Sequence, residues 1–292
     1  MIIGLEQFFT TMLNGLGQGM ILVLVAAGLS IVFGMARVVN FAHGSFFMIG
    51  AYFTALLADH VGFFPALLIA TLLTGAVAAV VEFLLIRPLY GRDLLLQILL
   101  TFGLALVIRE LVIIGVGPTA LSLSAPDVLR GSISLEVISY ARYNLFLIIF
   151  GAVLIVAIDY VLRQTEVGSL IRGASRDNEM VRLLGVNIYF YWTAVFAAGA
   201  ALAGLAGGLV GVIQPIQPTM DFSMLLIAFV VVVLGGMGSF RGTVVAGLLV
   251  GLVMSFTSIW WPGGSEAIAL LLLAVTLLVK PEGLLGEPEV LE

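Results

Sequence analysis

The sequence predicts an all-α, polytopic transmembrane helix bundle, and three observations carry that prediction. Hydrophobic residues make up 62% of the 292-residue chain, and charged residues only 10%. Soluble domains carry about 25% charge, so there is too little polar surface to coat a globule of this size. The mean hydropathy of +1.23 agrees. The apolar residues also fall in runs of about the length that crosses a bilayer, roughly 20 residues.

Taken in order, candidate spans lie near 8–34, 44–60, 65–86, 94–116, 144–162, 190–213, 224–236, 242–260 and 265–280. The first is read as a permanent helix: Met1–Gln7 carries Glu6 and no Lys or Arg, so the basic region of a cleavable signal peptide is missing. The seventh is short and ends in Gly235-Gly236-Met237-Gly238-Ser239, as a half-helix or re-entrant element would. Eight or nine membrane segments follow, some broken or short, in a single domain over 1–292.

The connections set an orientation. With 163–189 placed in the cytoplasm, alternation puts Arg37, Arg87, Arg92, Arg163, Arg172, Arg176, Arg182, Arg241 and Lys280 inside. Arg130 and Arg142 fall outside, and Arg109 lies within a span. That excess of inward positive charge predicts an external N-terminus and a cytoplasmic C-terminus. Trp260-Trp261 then sits at the outer interface, and Glu287, Glu289 and Glu292 form a solvated internal tail. The external connection 117–143, with Pro118, Pro126, Asp127, Arg130 and Glu136, is either a lid or docking surface or an ordinary exposed loop.

Small residues at intervals of four, such as Gly15 and Gly19, Ala200, Gly204 and Gly208, and Gly247 and Gly251, predict close helix packing in lipid. Two regions resemble each other loosely. Asn40-Phe41-Ala42-His43-Gly44 and Pro215-Ile216-Gln217-Pro218-Thr219-Met220-Asp221 each make a polar break before a short apolar helix. Paired breaks in two halves of a chain point to a transport path. On that reading Asn40, Phe41, His43, Gln214 and Gln217 line the path; on the structural one Asn40 caps the next helix and His43 fills the turn.

Four ionisable groups lie in or near spans. Glu82 and Asp159 fall near cytoplasmic ends, where an interfacial position suits them. Arg109 and Glu110 are adjacent, cannot face each other on a helix, and each need a partner elsewhere.

Several function classes drop out. Cysteine is absent and His43 and His60 are the only histidines, so thiol chemistry and Cys/His metal sites are excluded. No Ser/His/Asp or paired-carboxylate spacing suggests an enzyme, no basic stripe suits nucleic acid, and no cofactor is implied. The only lysine, Lys280, precedes Pro281 rather than closing a phosphate loop, so the chain has no nucleotide site of its own.

The most informative polar stretch is Thr165–Asn187. Ser175 can cap a short helix with Asp177 and Glu179 in its first turn; Met180, Val181, Leu183 and Leu184 give it an apolar surface, and Gly185 can end it. Such a helix suits docking to a cytoplasmic partner, or lies on the headgroups.

This segment resembles the cytoplasmic coupling loop of ABC importer permeases of the branched-chain amino acid class. Gly168, Arg172, Asp177, Glu179 and Leu184-Gly185-Val186-Asn187 match, while Gly173 and Val181 stand where that class has Ala and a small residue. The resemblance extends to Gly28–Gly34, Val39–Gly44, Gly50-Ala51-Tyr52, Ala203–Gly207 and Leu234–Ser239, over nearly the whole chain. It is closest to the shorter of the two permeases in leucine/isoleucine/valine uptake. It implies an inner-membrane subunit of an ATP-driven importer, paired with a related permease, two cytoplasmic ATPases and a periplasmic or lipid-anchored binding protein. It also implies ATPase coupling through Gly168, Arg172, Asp177, Glu179, Arg182 and Gly185. Urea, short amides or aromatic acids are the alternative substrates within the class, and an ion-coupled secondary transporter is the alternative outside it.

Overall fold

A computed structural model describes residues 4–36, 38–135 and 138–286. Arg37, Glu136 and the acidic tail lie outside those residues. Eleven α-helices are described: α1 (Leu5–Ala36), α2 (His43–Val61), α3 (Phe63–Val81), α4 (Leu94–Val116), α5 (Arg142–Gln164), α6 (Glu166–Arg176), α7 (Asn178–Leu183), α8 (Ile188–Val210), α9 (Met220–Gly235), α10 (Phe240–Trp260) and α11 (Ser265–Val279). Eight helical stretches are long and apolar enough to cross a bilayer, and α9, with 16 residues, is the short ninth. The chain is therefore an all-α, multi-pass membrane protein.

The 32 residues of α1 make it about 48 Å long. It is the axis of the bundle, packed against α10, α8, α5 and α9. In lipid no hydrophobic effect separates helix from tail, so close van der Waals approach does the work. Gly19 and Gly251 allow it between α1 and α10: a Cβ on Gly251 would lie 2.4 Å from the Gly19 nitrogen. The approach of α2 to α8 is tighter still. A Cβ on Gly50 would lie 2.2 Å from Gly204 Cα, and one on Gly207 only 2.0 Å from the Phe47 carbonyl oxygen.

Both polar breaks are real interruptions. After α1 the chain returns through a non-helical segment in which Val38 and Asn40 are buried. The Asn40 side-chain oxygen accepts from the Ala42 amide (3.0 Å), which closes a turn just ahead of α2; the cap position itself is Ala42, without a side-chain bond, so Asn40 is not the helix cap. The second break, 211–219, is held by a two-way backbone bridge: the Leu121 amide donates to Ile216 O (2.9 Å) and the Ile216 amide to Leu121 O (2.8 Å). Non-helical backbone at membrane depth needs such partners. At its far end α9 is closed by the chain beyond α11, whose Leu284 and Leu285 amides donate to the Leu234 and Gly235 carbonyls.

The connection after α4 contains a feature that the sequence reading does not anticipate. Strands β1 (Ser132–Leu135) and β2 (Ile138–Ala141) pair antiparallel, with Ile133 opposite Tyr140. The Tyr140 hydroxyl donates to the Asn14 side chain on α1 (3.1 Å), which pins the hairpin over one end of the bundle.

Candidate functional site

The two breaks meet. Gly44, one residue into α2, abuts the first turn of α9 so closely that a Cβ there would lie 2.0 Å from Asp221 O. The positive dipole ends of two helices are thus brought together within the bundle. Helix α4 lies along this junction on a single face. Its buried residues are Gln97, Thr101, Ala105 and Ile108, at helical spacing, while most of the rest of the helix is uncovered. The Thr101 hydroxyl reaches Val39 O (3.4 Å), and one turn further on Ala105 O accepts from Ser45 (3.5 Å).

One more turn brings Arg109, whose partner is Asp221. Arg109 Nε donates to Asp221 Oδ2 (3.0 Å) and Nη2 to Oδ1 (2.7 Å), a two-pronged pair with a nearly fully buried carboxylate. Asp221 also accepts from the Phe222 amide (2.7 Å), so it closes the start of α9 as well. Glu110, the neighbour of Arg109, is exposed on α4.

Of the residues read as lining a path, Asn40 and His43 are buried inside the junction. His43 Nε2 lies 3.0 Å from Val25 O, which ties α2 to α1. Phe41 packs against Phe102 of α4 and Phe229 of α9. Gln214 and Gln217 are exposed and do not join them. Gln214 instead lines a cleft of about 360 Å³ between α1, α5, the hairpin and the end of α8. Asn14, Gln18 and Asn144 face the same cleft, above an apolar wall that includes Ile21, Leu147 and Met224. Burial pushes the Tyr140 phenol above its ordinary range, so it remains a donor beside these carboxamides.

Glu82 lies near the end of its span but does not face outward. It is wholly buried where α3 passes into a π-helical turn, Glu82–Ile86. The carboxylate accepts from Tyr90 (2.8 Å) and Thr193 (2.6 Å) and pairs with Arg87 (3.4 Å). Burial first, and the Glu82 carboxylate second, push the Tyr90 phenol up and keep it protonated. Burying a carboxylate is tolerable only with such partners. Asp159 lies at the exposed end of α5, between Arg163 (3.0 Å) and Arg241 (3.4 Å).

The 163–189 connection forms two helices rather than one. Thr165 caps α6 by accepting from the Gly168 amide (3.1 Å), and Asp177 caps α7 by accepting from Met180 (2.8 Å). Ser175 is not the cap: it lies inside α6 and bonds back to Ile171 O (3.0 Å), as helical serines do. Gly168 sits in the elbow between α5 and α6, where a Cβ would lie 2.3 Å from both Val161 O and Leu162 O. Gly185, at φ +81°, ends α7 in the left-handed region. Val181 is buried against the α6 face at Gly173, whereas Met180, Leu183 and Leu184 are exposed beside Glu179. Arg172 is exposed on α6, and the Arg182 guanidinium lies 6.0 Å from the Tyr189 ring centre.

Comparison with known proteins agrees along the whole length. The sequence model of the family described as branched-chain amino acid transport system, permease component, matches residues 11–280. The high-affinity branched-chain amino acid transport permease BraD of Pseudomonas aeruginosa is 29% identical, with 97% of each chain covered. LivH of Salmonella typhimurium, another protein of that description, is also 29% identical over 97% of each. The probable LivH of Methanocaldococcus jannaschii is 25% identical over 91% of this chain and 89% of its own. Among solved structures, PsaBC from Streptococcus pneumoniae in complex with Fab matches with a TM-score of 0.50 and 14% identity, over 91% of this chain and 89% of that one. That likeness is one of fold alone.

Proposed function

The chain belongs to the family of branched-chain amino acid transport permease components, and on that basis we propose that it forms half of the membrane core of an ATP-driven importer for branched-chain or other small amino acids. A second related permease supplies the other half, two cytoplasmic ATPases drive it, and a soluble binding protein delivers the solute. The setting is a bacterial or archaeal cytoplasmic membrane, with the N-terminus outside.

The observation that carries this reading is the α6–α7 pair. It presents Met180, Leu183 and Leu184 to the surroundings at a place too polar to lie in lipid. Exposed apolar groups rimmed by Glu179 and Arg182 suit a protein partner. The sharp elbow at Gly168 fixes the pair to α5, so force on α7 reaches the bundle. An ion-coupled mechanism calls for a buried acid free to hold the ion, and among the described residues the buried carboxylates, Glu82 and Asp221, are each already paired with an arginine. For the solute, the cleft at Gln214 combines a carboxamide rim with an aliphatic wall. Amide groups both donate and accept, as a zwitterion requires, and the wall suits a branched side chain.

Leu183→Asp combined with Leu184→Asp is expected to abolish co-purification of the ATPases and lower uptake about tenfold or more, the equivalent of ~1.4 kcal/mol of docking energy. The amount of chain in the membrane should not change. Unaltered co-purification would refute the docking assignment. Orientation has its own test, because the sequence contains no cysteine. A cysteine at position 130 should react with an impermeant maleimide on intact cells, and one at 184 only after permeabilisation; the reverse pattern would invert the topology.

A further inference from the structure

We propose that the cleft where the ends of α1 and α5 meet α6 and the start of α10 binds the phosphate headgroup of an anionic phospholipid. The cleft measures about 300 Å³. Arg163, Arg172 and Arg241 line it against one carboxylate, Asp159, so its net charge is positive. In both ion pairs the closest contact to Asp159 Oδ1 is through the arginine Nε. That leaves the Nη donors for another acceptor, and a phosphate accepts from guanidinium in two-pronged fashion. The hydroxyls of Ser175 and Ser239 add polar lining.

The other walls are apolar. Ile31 and Met35 of α1, Leu162 of α5 and Phe240 of α10 face the same space. A free anion has no use for such a wall, whereas a lipid brings both a phosphate and an acyl chain. The position fits as well: the cleft lies at the ends of three membrane helices, where basic pockets hold anionic headgroups. Because Arg172 and Ser175 belong to α6, an occupied cleft braces the α6–α7 pair against α10. Anionic lipid then becomes a structural element of the coupling segment. The proposal rests on the orientation given above only for which leaflet supplies the lipid.

The test is native mass spectrometry of the full chain, purified with its partner subunits in a non-ionic detergent and titrated with phosphatidylglycerol, phosphatidylcholine or inorganic phosphate. Wild-type protein should retain phosphatidylglycerol and not phosphatidylcholine. Arg163→Gln with Arg241→Gln should weaken retention roughly tenfold to thirtyfold, as expected for two arginines at a charged surface. Asp159→Asn removes the competing carboxylate and should strengthen retention, an effect that mere loss of structure would not produce. Equal retention of both lipids, wild-type retention by the double variant, or weaker retention by Asp159→Asn would each overturn the proposal. Displacement of phosphatidylglycerol by low-millimolar inorganic phosphate would reassign the cleft as a free-anion site. Binding in detergent has no sidedness, so a wrong orientation would show in the maleimide test and leave this result untouched.

Discussion

Asp221→Ala should cost about 3–5 kcal/mol and eliminate uptake, because it leaves the Arg109 guanidinium without its counter-charge among apolar helices. The carboxylate also closes the first turn of α9 through the Phe222 amide, so its loss frees a helix start as well as a charge. Arg109→Ala should be comparably severe, since it strands a carboxylate that is only 2% exposed. The two losses share one interaction, so the double alanine variant should fall short of their sum by roughly 0.5–3 kcal/mol. Arg109→Met with Asp221→Leu should recover much of the stability, as apolar replacements of buried pairs do, while uptake reports whether the charges do more than hold α4 to the junction. Thermal denaturation in detergent gives the stabilities. A wild-type melting temperature for Asp221→Ala would show that the pair contributes nothing.

Gly50→Leu is expected to be as damaging by a different route. Even one methyl group there meets the backbone of Gly204 at 2.2 Å, so α2 and α8 would have to separate along their length. Overpacking against backbone has no flexible side chain to absorb it, and a loss above about 4 kcal/mol is expected. Gly103→Leu and Gly115→Leu are the controls. Both glycines lie on α4 with open space within 4 Å of where a Cβ would stand, so they should stay within about 0.5 kcal/mol of the parent. Fluorescence-detected size exclusion after heating separates the two outcomes. A monodisperse peak from Gly50→Leu at the parental temperature would contradict the packing described.

Hydropathy alone gave the spans their order and nearly their bounds, including the short α9 and both polar breaks. Each of those is a property of one segment. What could not be read is what segments do to one another. The partner of Arg109 is 112 residues away, and no local spacing selects Asp221 over any other acid. Lipid and protein interior are equally apolar, so α1, largely buried, and α5, with few buried residues, read alike. One signal was present and unused: Gln97, Thr101, Ala105 and Ile108 mark the covered face of α4 through their small or polar character at helical intervals. The hairpin is not legible because Glu136-Val137, between its strands, lacks the Asn-Gly or Asp-Gly pair that advertises a tight turn. Ser175 and Asp177 are both competent caps, and only the continuation of α6 through Ser175 decides between them.

The π-helical turn at the end of α3 has a consequence of phase. On an α-helix, residues five apart point about 140° away from each other, because each residue adds about 100°. A π turn accommodates one extra residue and bonds each amide to the carbonyl five back, as the Arg87 amide bonds to Glu82 O. Glu82 and Arg87 therefore share a side of the helix that a regular repeat would deny them. The extra residue works as a frameshift in three dimensions: upstream of it the helix keeps time with α8, and downstream it is rotated so that the cation lands on the acid. Forcing the same residues into an ordinary repeat would turn Arg87 about 140° from Glu82 and leave a carboxylate sealed in the bundle without its cation, whereas deleting one residue between them would set the pair four apart, about 40° around the helix, and keep it on one face.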